Sequence, residues 1–479
     1  MIVDESINHD RPILLSLILV AIAGILIRHV FGDSNVSNCM IALYGILVVP
    51  NIVSGSETSF FRGTSSKIRG KYLPEFRGVY EEFRKNVRSG VERGAQVVVM
   101  FKGKVAVDLY TCLDSEDSTY DATSTQNVWS STKTAASLAM AMLVDRGLLS
   151  YDDKVSEIWP EYGTHGKEDT TVADVLRHEA GLYDFDKTLS IDVLKDANKM
   201  AKVIERQKPK HLGERKYHGI TRGWILSEIV RRVDGRTMGE FVREEIVRPL
   251  KLSTFSIGEK RDDVSPLVAT SMWWTLCQLL IPFESWGRRI HLNLPFFAML
   301  NLFGSFGKQK EAFELPLERG IFERVMSCHA RNYSSSIVRE VEIPSANGQA
   351  NAWALAKMAD AIVGPLHGRK SLLLKPKGAK QAHENPIEKD MFLKGMKTSF
   401  TNAGWCRFND GSGADGVPFS RFGFTGWMGY GGSVMQWHTD LDIAFGYAMN
   451  LMESDMDNRR AHRLQGASYD CVLGLLKSN

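Results

Sequence analysis

The stretch Val128-Trp129-Ser130-Ser131-Thr132-Lys133, followed by Thr134 to Arg146, decides how the rest of the chain is read. Ser130 and Lys133 stand at i and i+3, which places both side chains on one face of a helix, within reach of each other. A serine hydroxyl becomes a useful nucleophile only when a neighbouring base takes its proton, and a desolvated lysine amine is such a base. Residues 135–144 read Ala-Ala-Ser-Leu-Ala-Met-Ala-Met-Leu-Val. They are apolar on almost every face, which predicts a helix buried all round. Burial strips water from an ammonium group and so lowers a lysine pKa. Gly147 follows where a C-cap glycine belongs. The plainer reading of the same residues is a chance Ser-x-x-Lys at an ordinary helix start, with Ser130 as N-cap.

Trp129 to Lys133, opening a buried Ala-rich helix, resembles the nucleophile motif of the serine β-lactamase and penicillin-binding superfamily, whose signature is Ser-x-x-Lys. The likeness is to the class C β-lactamase-like (peptidase S12-type) branch, which also holds esterases and D-amino-acid or D-peptide hydrolases. It implies an α/β (α+β) fold of β-lactamase/transpeptidase type. An antiparallel sheet flanked by helices would face a mainly helical lobe, with the site between them.

The chain has 479 residues, enough for a large core, and a formal charge of only +3 with acids and bases interspersed. That balance gives no reason to expect nucleic acid as a partner. The six cysteines, at positions 40, 112, 277, 328, 406 and 471, form no Cys-x-x-Cys pair. They suggest neither a zinc site nor a dense disulfide framework. The twelve histidines show no His-Glu-x-x-His spacing, so no metal and no cofactor are expected.

Residues 1–70 read as a hydrophobic anchor or signal region followed by a linker, with the hydrolase domain at 71–479. Pro12 to Ile27 carries no charge, and a second apolar run covers Cys39 to Pro50. Each is shorter than the ~20 residues that cross a bilayer upright. Membrane association through residues 12–53 is the leading reading. A cleaved signal peptide ending near Ala21-Ile22-Ala23, giving a secreted protein, is the second, although Asp4, Glu5 and Asp10 put acid where a leader wants base. Helices packed on the body are the third. Residues 54–70, rich in Ser, Gly and Thr, read as a flexible linker.

Within the body, Phe76 to Arg93 has helical spacing. Ala95 to Phe101 and Val105 to Tyr110 read as a hairpin. Thr171 is a candidate N-cap for the segment through His178 to Leu182. The resemblance makes His178 structural, tying a loop below the site. The next motif is Lys216-Tyr217-His218-Gly219. Class C relatives carry Tyr-x-Asn there, so the tyrosine carries over onto Tyr217 and the asparagine does not. That phenol would shuttle a proton to the leaving group, its pKa lowered from ~10 by Lys133 as the neighbouring cation. Residues 261–320, with Trp273-Trp274 and Leu292 to Phe303, read as an apolar insertion. Glu342 to Ala350 resembles the Pro-Ser-x-Asn-Gly turn near the site of relatives. Asn347 is expected to shape that loop and to be a candidate substrate ligand. Lys-rich 365–395 reads as a solvated loop.

The last motif is Phe422-Gly-Phe-Thr-Gly-Trp427-Met428-Gly429-Tyr430-Gly431-Gly432-Ser433. Relatives place Lys-Thr-Gly or His-x-Gly on an edge strand here, and counting back from Gly-Gly-Ser puts Trp427 at the Lys or His position. Phe424-Thr425-Gly426 is the competing frame. The resemblance at Trp427 is to the carboxylesterases. It makes Trp427 and Gly429 substrate-binding, and it pairs the Tyr430 N–H with the Ser130 N–H as the oxyanion hole. Val434 to Trp437 and Ile443 to Met449 read as closing strands, and Leu464 to Lys477 as a terminal helix. Together these residues imply a serine hydrolase that acylates Ser130, with Lys133 and Tyr217 sharing the proton work. The substrate is a small ester, or less readily an amide or peptide. The rival is a non-catalytic scaffold that keeps the fold as a binding protein.

Overall fold

The computed structural model describes residues 1–8, 65–113, 119–186, 189–261, 263–269, 336–391, 397–408, 423–452 and 459–478. The apolar runs of residues 12–53 and residues 270–320 of the expected insertion lie outside the described residues. Ile2–Asn8 (β1) pairs antiparallel with Ser65–Tyr72 (β2), from Ile2 opposite Lys71 to Asn8 opposite Ser65. This corrects the linker reading of residues 65–70. Ser-Ser-Lys-Ile-Arg-Gly looks like linker by composition, yet Ser66 and Ile68 alternate inward at the two-residue period of a strand. At Gly70 a Cβ would lie 2.1 Å from the Asp108 carbonyl oxygen, so only glycine lets the neighbouring strand approach.

Arg77–Arg88 (α1) precedes the expected hairpin of Ala95–Phe101 (β3) and Lys104–Leu113 (β4), turned through Lys102 and Gly103, both at positive φ. The remaining strands are Ile387–Asp390 (β5), Lys397–Phe400 (β6), Cys406–Arg407 (β7), Phe424–Met428 (β8), Val434–His438 (β9) and Ile443–Met449 (β10). All ten join one antiparallel sheet in the order β1-β2-β4-β3-β10-β9-β8-β7-β6-β5.

Adjacent residues of a strand point to opposite faces, and β10 shows what each face meets. Gly446 lies against the helix Ala352–Val363, where a Cβ would sit 2.2 Å from the Ala352 carbonyl. Tyr447 points the other way and donates to buried Glu92, which pairs with Arg460 of the terminal helix Arg459–Ser478. That terminal helix packs on α1. The expected strands and terminal helix are therefore present, and the sheet lies between terminal helices and a second helical layer.

Residues 365–390 depart from the expected solvated loop. They hold the helix Pro376–His383, whose Gly378, Ala379 and Ala382 are buried, and strand β5. The lysines occupy the outer face of that helix, and small residues supply its inner one.

Candidate active site

The helix Thr132–Asp145 (α2) is buried at every residue from Thr132 to Leu143. It ends as expected, with Gly147 at φ 72° and the Leu148 N–H on the Leu143 carbonyl. Ahead of it, Trp129–Ser131 forms a 3-10 turn, and Trp129 takes φ 47°. A left-handed conformation at a non-glycine residue costs roughly 1–2 kcal/mol, and several contacts hold it in place. Asn127 Oδ1 accepts the Trp129 N–H at 2.8 Å, Thr132 Oγ1 donates to the Trp129 carbonyl at 2.5 Å, and Ser433 Oγ donates to the Val128 carbonyl at 2.6 Å. The Gly-Gly-Ser serine thus pins the nucleophile turn, a role the motif alone does not disclose.

Ser130 lies 3.0 Å from Lys133 Nζ and accepts the Tyr217 hydroxyl proton at 2.7 Å. Lys133 Nζ also reaches the carbonyls of Gly219, at 2.6 Å, and Ser345, at 2.8 Å. A neutral amine has two N–H groups and one lone pair. The two carbonyls take the N–H groups, which leaves the lone pair for the Ser130 hydroxyl. Trp427 Nε1 donates to the Tyr217 hydroxyl at 3.2 Å. With Lys133 neutral, the hydrogen bonds run one way, from Trp427 to Tyr217, to Ser130, to Lys133.

Burial pushes the Lys133 pKa well below its ordinary value, and the Arg222 charge adds to this. Burial also raises Tyr217, against opposing effects of its bonds to Ser130 and Trp427 and of Arg222. The expectation that a Lys133 cation lowers the phenol is corrected here, because burial disfavours that cation and the charge acting on Tyr217 is Arg222.

The loop carrying Tyr217 is fixed from below. His178 Nδ1 accepts the His218 N–H at 3.0 Å, and His218 Nε2 accepts the Leu182 N–H at 3.0 Å. Arg215 pairs with Glu179 at 2.6 Å, both buried. His178 is structural, as the resemblance implies, and its ring packs 4.9 Å from that of Tyr217.

Two expected ligands have other partners. Trp427 is buried among Tyr217, Phe400 and Phe408, with its N–H on the phenol. Its polar atom is thereby used inside the protein. Asn347 is fully buried, accepting the Ile343 N–H and donating to the carbonyls of Val338 and Val341. Its amide is used by its own turn, so it shapes the loop, as the first of the two expectations has it. That turn serves the site through Ser345, whose carbonyl meets Lys133 and whose hydroxyl accepts the Gly223 N–H. Gly429 packs against the nucleophile turn, where a Cβ would lie 2.3 Å from the Val128 carbonyl. Tyr430 stacks edge-on to Trp129 at 5.5 Å and is 40% exposed. Among the described residues, no group of His, Cys, Asp and Glu is arranged to hold a metal.

Comparison with known proteins agrees with this fold. The beta-lactamase family profile matches residues 83–469. The chain is similar to Esterase/beta-lactamase LipL of Mycobacterium tuberculosis, 28% identical over 298 residues, covering 62% of this chain and 64% of that relative. Among solved structures, a penicillin-binding protein homolog from Caulobacter crescentus is 28% identical. Its TM-score is 0.65, and the match covers 84% of this chain and 99% of that one. A family VIII carboxylesterase, at 24% identity and TM-score 0.65 with the same coverage, shares the fold.

Proposed function

The chain belongs to the beta-lactamase family of serine hydrolases, and on that footing we propose that it is a carboxylesterase-type enzyme cleaving neutral esters through an acyl-enzyme on Ser130. The observation that carries the proposal is the contact of Ser130 with both Lys133 and Tyr217, and of Tyr217 with Trp427, an indole where an edge-strand cation would meet a carboxylate. The relative named an esterase/beta-lactamase supports an esterase activity but does not separate it from lactam hydrolysis.

In the proposed mechanism, Ser130 Oγ attacks the ester carbonyl carbon and passes its proton to Lys133. The oxyanion is met by the N–H groups of Ser130 and Tyr430, each donor contributing about 3–4 kcal/mol at the transition state. Collapse expels the alkoxide, which takes the Tyr217 proton. Lys133, whose Nζ lies 4.9 Å from the centre of the Tyr217 ring, returns a proton to the phenolate. Water then attacks the acyl-enzyme, with the proton transfers reversed. Neutral short or medium-chain p-nitrophenyl esters should have kcat/KM far above that of a chromogenic cephalosporin, and Ser130→Ala should abolish both turnover and fluorophosphonate labelling. Comparable kcat/KM on the cephalosporin sinks the ester reading. Absence of labelling in the wild type favours the scaffold.

We also propose that the chain is membrane-associated through residues 12–53. The segment leaves and re-enters the sheet at one rung, Asn8 opposite Ser65, so insertion of both apolar runs would return the chain to the side it left. Pairing of Ile2–Asn8 with β2 supports a retained amino terminus over a cleaved leader. Among the described residues, no helix is long and apolar enough to cross a membrane. Resistance of the full chain to alkaline carbonate extraction is expected, and quantitative release overturns the proposal.

A further inference from the structure

A second cation is buried beneath the Ser130–Lys133–Tyr217 cluster. Arg222, in the first turn of the helix Thr221–Asp234, is 2% exposed. Its Nη2 donates to Ser137 Oγ, one helical turn beyond Lys133 on α2, and its Nε has no hydrogen-bond partner. Among the described residues Arg222 forms no ion pair. Gly219, three residues before it, gives Lys133 its carbonyl. The two basic side chains are therefore held one turn apart along the same buried helix, with no anion between them. Burying a charge without a counter-ion is costly.

We propose that Arg222 is a positioning residue for the reaction, a fixed buried positive charge that disfavours protonation of the neutral Lys133 amine and favours negative charge on Tyr217. The proposal rests on the assignment of Ser130 as nucleophile. The groups facing Lys133 are Arg222 on its own helix, Tyr217 and His218 from the preceding loop, and His178 from the loop before Leu182. Both imidazoles are held below their ordinary pKa by burial and by Arg222, His218 at about 4. Strand β8 contributes no titratable group, and the 343–347 turn contributes only the Ser345 carbonyl. The nearby carboxylates have their own partners. Glu179 pairs with Arg215 and Lys389, and Glu342 accepts from Thr237 and Gly239. Among the described residues, no carboxylate pairs with Arg222 to offset its charge as it acts on Lys133.

The sign follows from Coulomb repulsion, since like charges disfavour ionisation of each other. A protonated Lys133 is a second buried cation. Removing the first makes that proton easier to keep, so the base is lost at a higher pH. A phenolate on Tyr217, formed when it protonates the leaving group, also loses its nearest fixed counter-charge.

The test is the pH profile of kcat/KM on a neutral p-nitrophenyl ester for wild type, Arg222→Lys and Arg222→Met. In Arg222→Met the acid limb should move up by about one pH unit, with kcat/KM about tenfold lower below it and KM little changed. Arg222→Lys, which keeps the charge, should keep the wild-type limb. A reduced rate in Arg222→Met with an unshifted limb overturns the proposal and leaves Arg222 a packing residue. If Arg222→Met does not fold, Arg222→Gln keeps a donor for Ser137 without the charge, and an unshifted limb there is equally decisive. A wild-type limb at or above about pH 9 also overturns it, because Lys133 would then titrate near its ordinary value. Fluorophosphonate labelling of wild-type Ser130 is scored separately. Its absence refutes the hydrolase reading, whereas labelling with unshifted limbs refutes only the role of Arg222.

Discussion

Replacing Trp427 by Phe separates two roles for that residue, a ligand for substrate and a donor that aims the Tyr217 hydroxyl. Phenylalanine keeps a ring against Phe400 and Phe408 and removes the N–H that reaches Tyr217 at 3.2 Å together with part of the indole. The bond is buried, neutral on both sides and long, so its net worth is about 0.5–1.5 kcal/mol. In the proposed mechanism the phenol must be aimed to hand its proton to the leaving alkoxide, so the loss should fall on kcat. A reduction of roughly 2- to 10-fold is expected. KM for a neutral ester should stay unchanged. The smaller ring leaves a void, so part of the stability is lost, and rates are measured well below the melting temperature. Steady-state kinetics on a p-nitrophenyl ester give kcat and KM apart. An unchanged kcat with a raised KM would refute the reasoning and return Trp427 to the substrate.

Two further outcomes follow from the same geometry. Gly429→Ala places a Cβ 2.2 Å from Ser433 Oγ and 2.3 Å from the Val128 carbonyl. The strand end must shift, and loss of one oxyanion donor, about 3 kcal/mol, predicts a fall of about 100-fold in kcat, checked against a retained circular dichroism spectrum. Lys133 has a folded pKa below its unfolded one, so the unfolded chain binds more protons between those two values and stability rises with pH there. Lys133→Met lacks that slope. Urea unfolding at several pH values should show the wild type gaining on the variant, by up to about 1.4 kcal/mol per pH unit, and parallel curves would contradict the buried neutral amine.

Much of this site is legible in the sequence because its chemistry is local. Ser130 and Lys133 share one turn, and the apolar run behind them announces a buried helix. Tyr217 and the Gly-Gly-Ser strand are distant in sequence, and only the resemblance brings them to Ser130. What stayed hidden has a physical reason in each case. The acceptors for Lys133 are the carbonyls of Gly219 and Ser345, and every residue has a carbonyl, so no side-chain pattern marks them. Asn347 looks like a ligand by type, but its amide closes its own turn. Nothing in the sequence marks Arg222 as buried; tertiary packing places it against Ser137 of α2. Strand β2 was obscured by linker-like composition, because its pairing partner, β1, lies across the apolar amino-terminal region.

Trp129 and Trp427 stand on either side of Ser130, one preceding it in the turn and one bonded to the phenol that bonds to it. They are two of ten tryptophans in the chain. Indole emission responds to the polarity and hydrogen bonding around the ring. An acyl group on Ser130 displaces the Tyr217 contact and adds a carbonyl beside Trp129, so both fluorophores sense the covalent intermediate directly. If Ser130 is acylated as proposed, the protein carries an intrinsic optical reporter of that step, readable by stopped flow with colourless substrates and without a label.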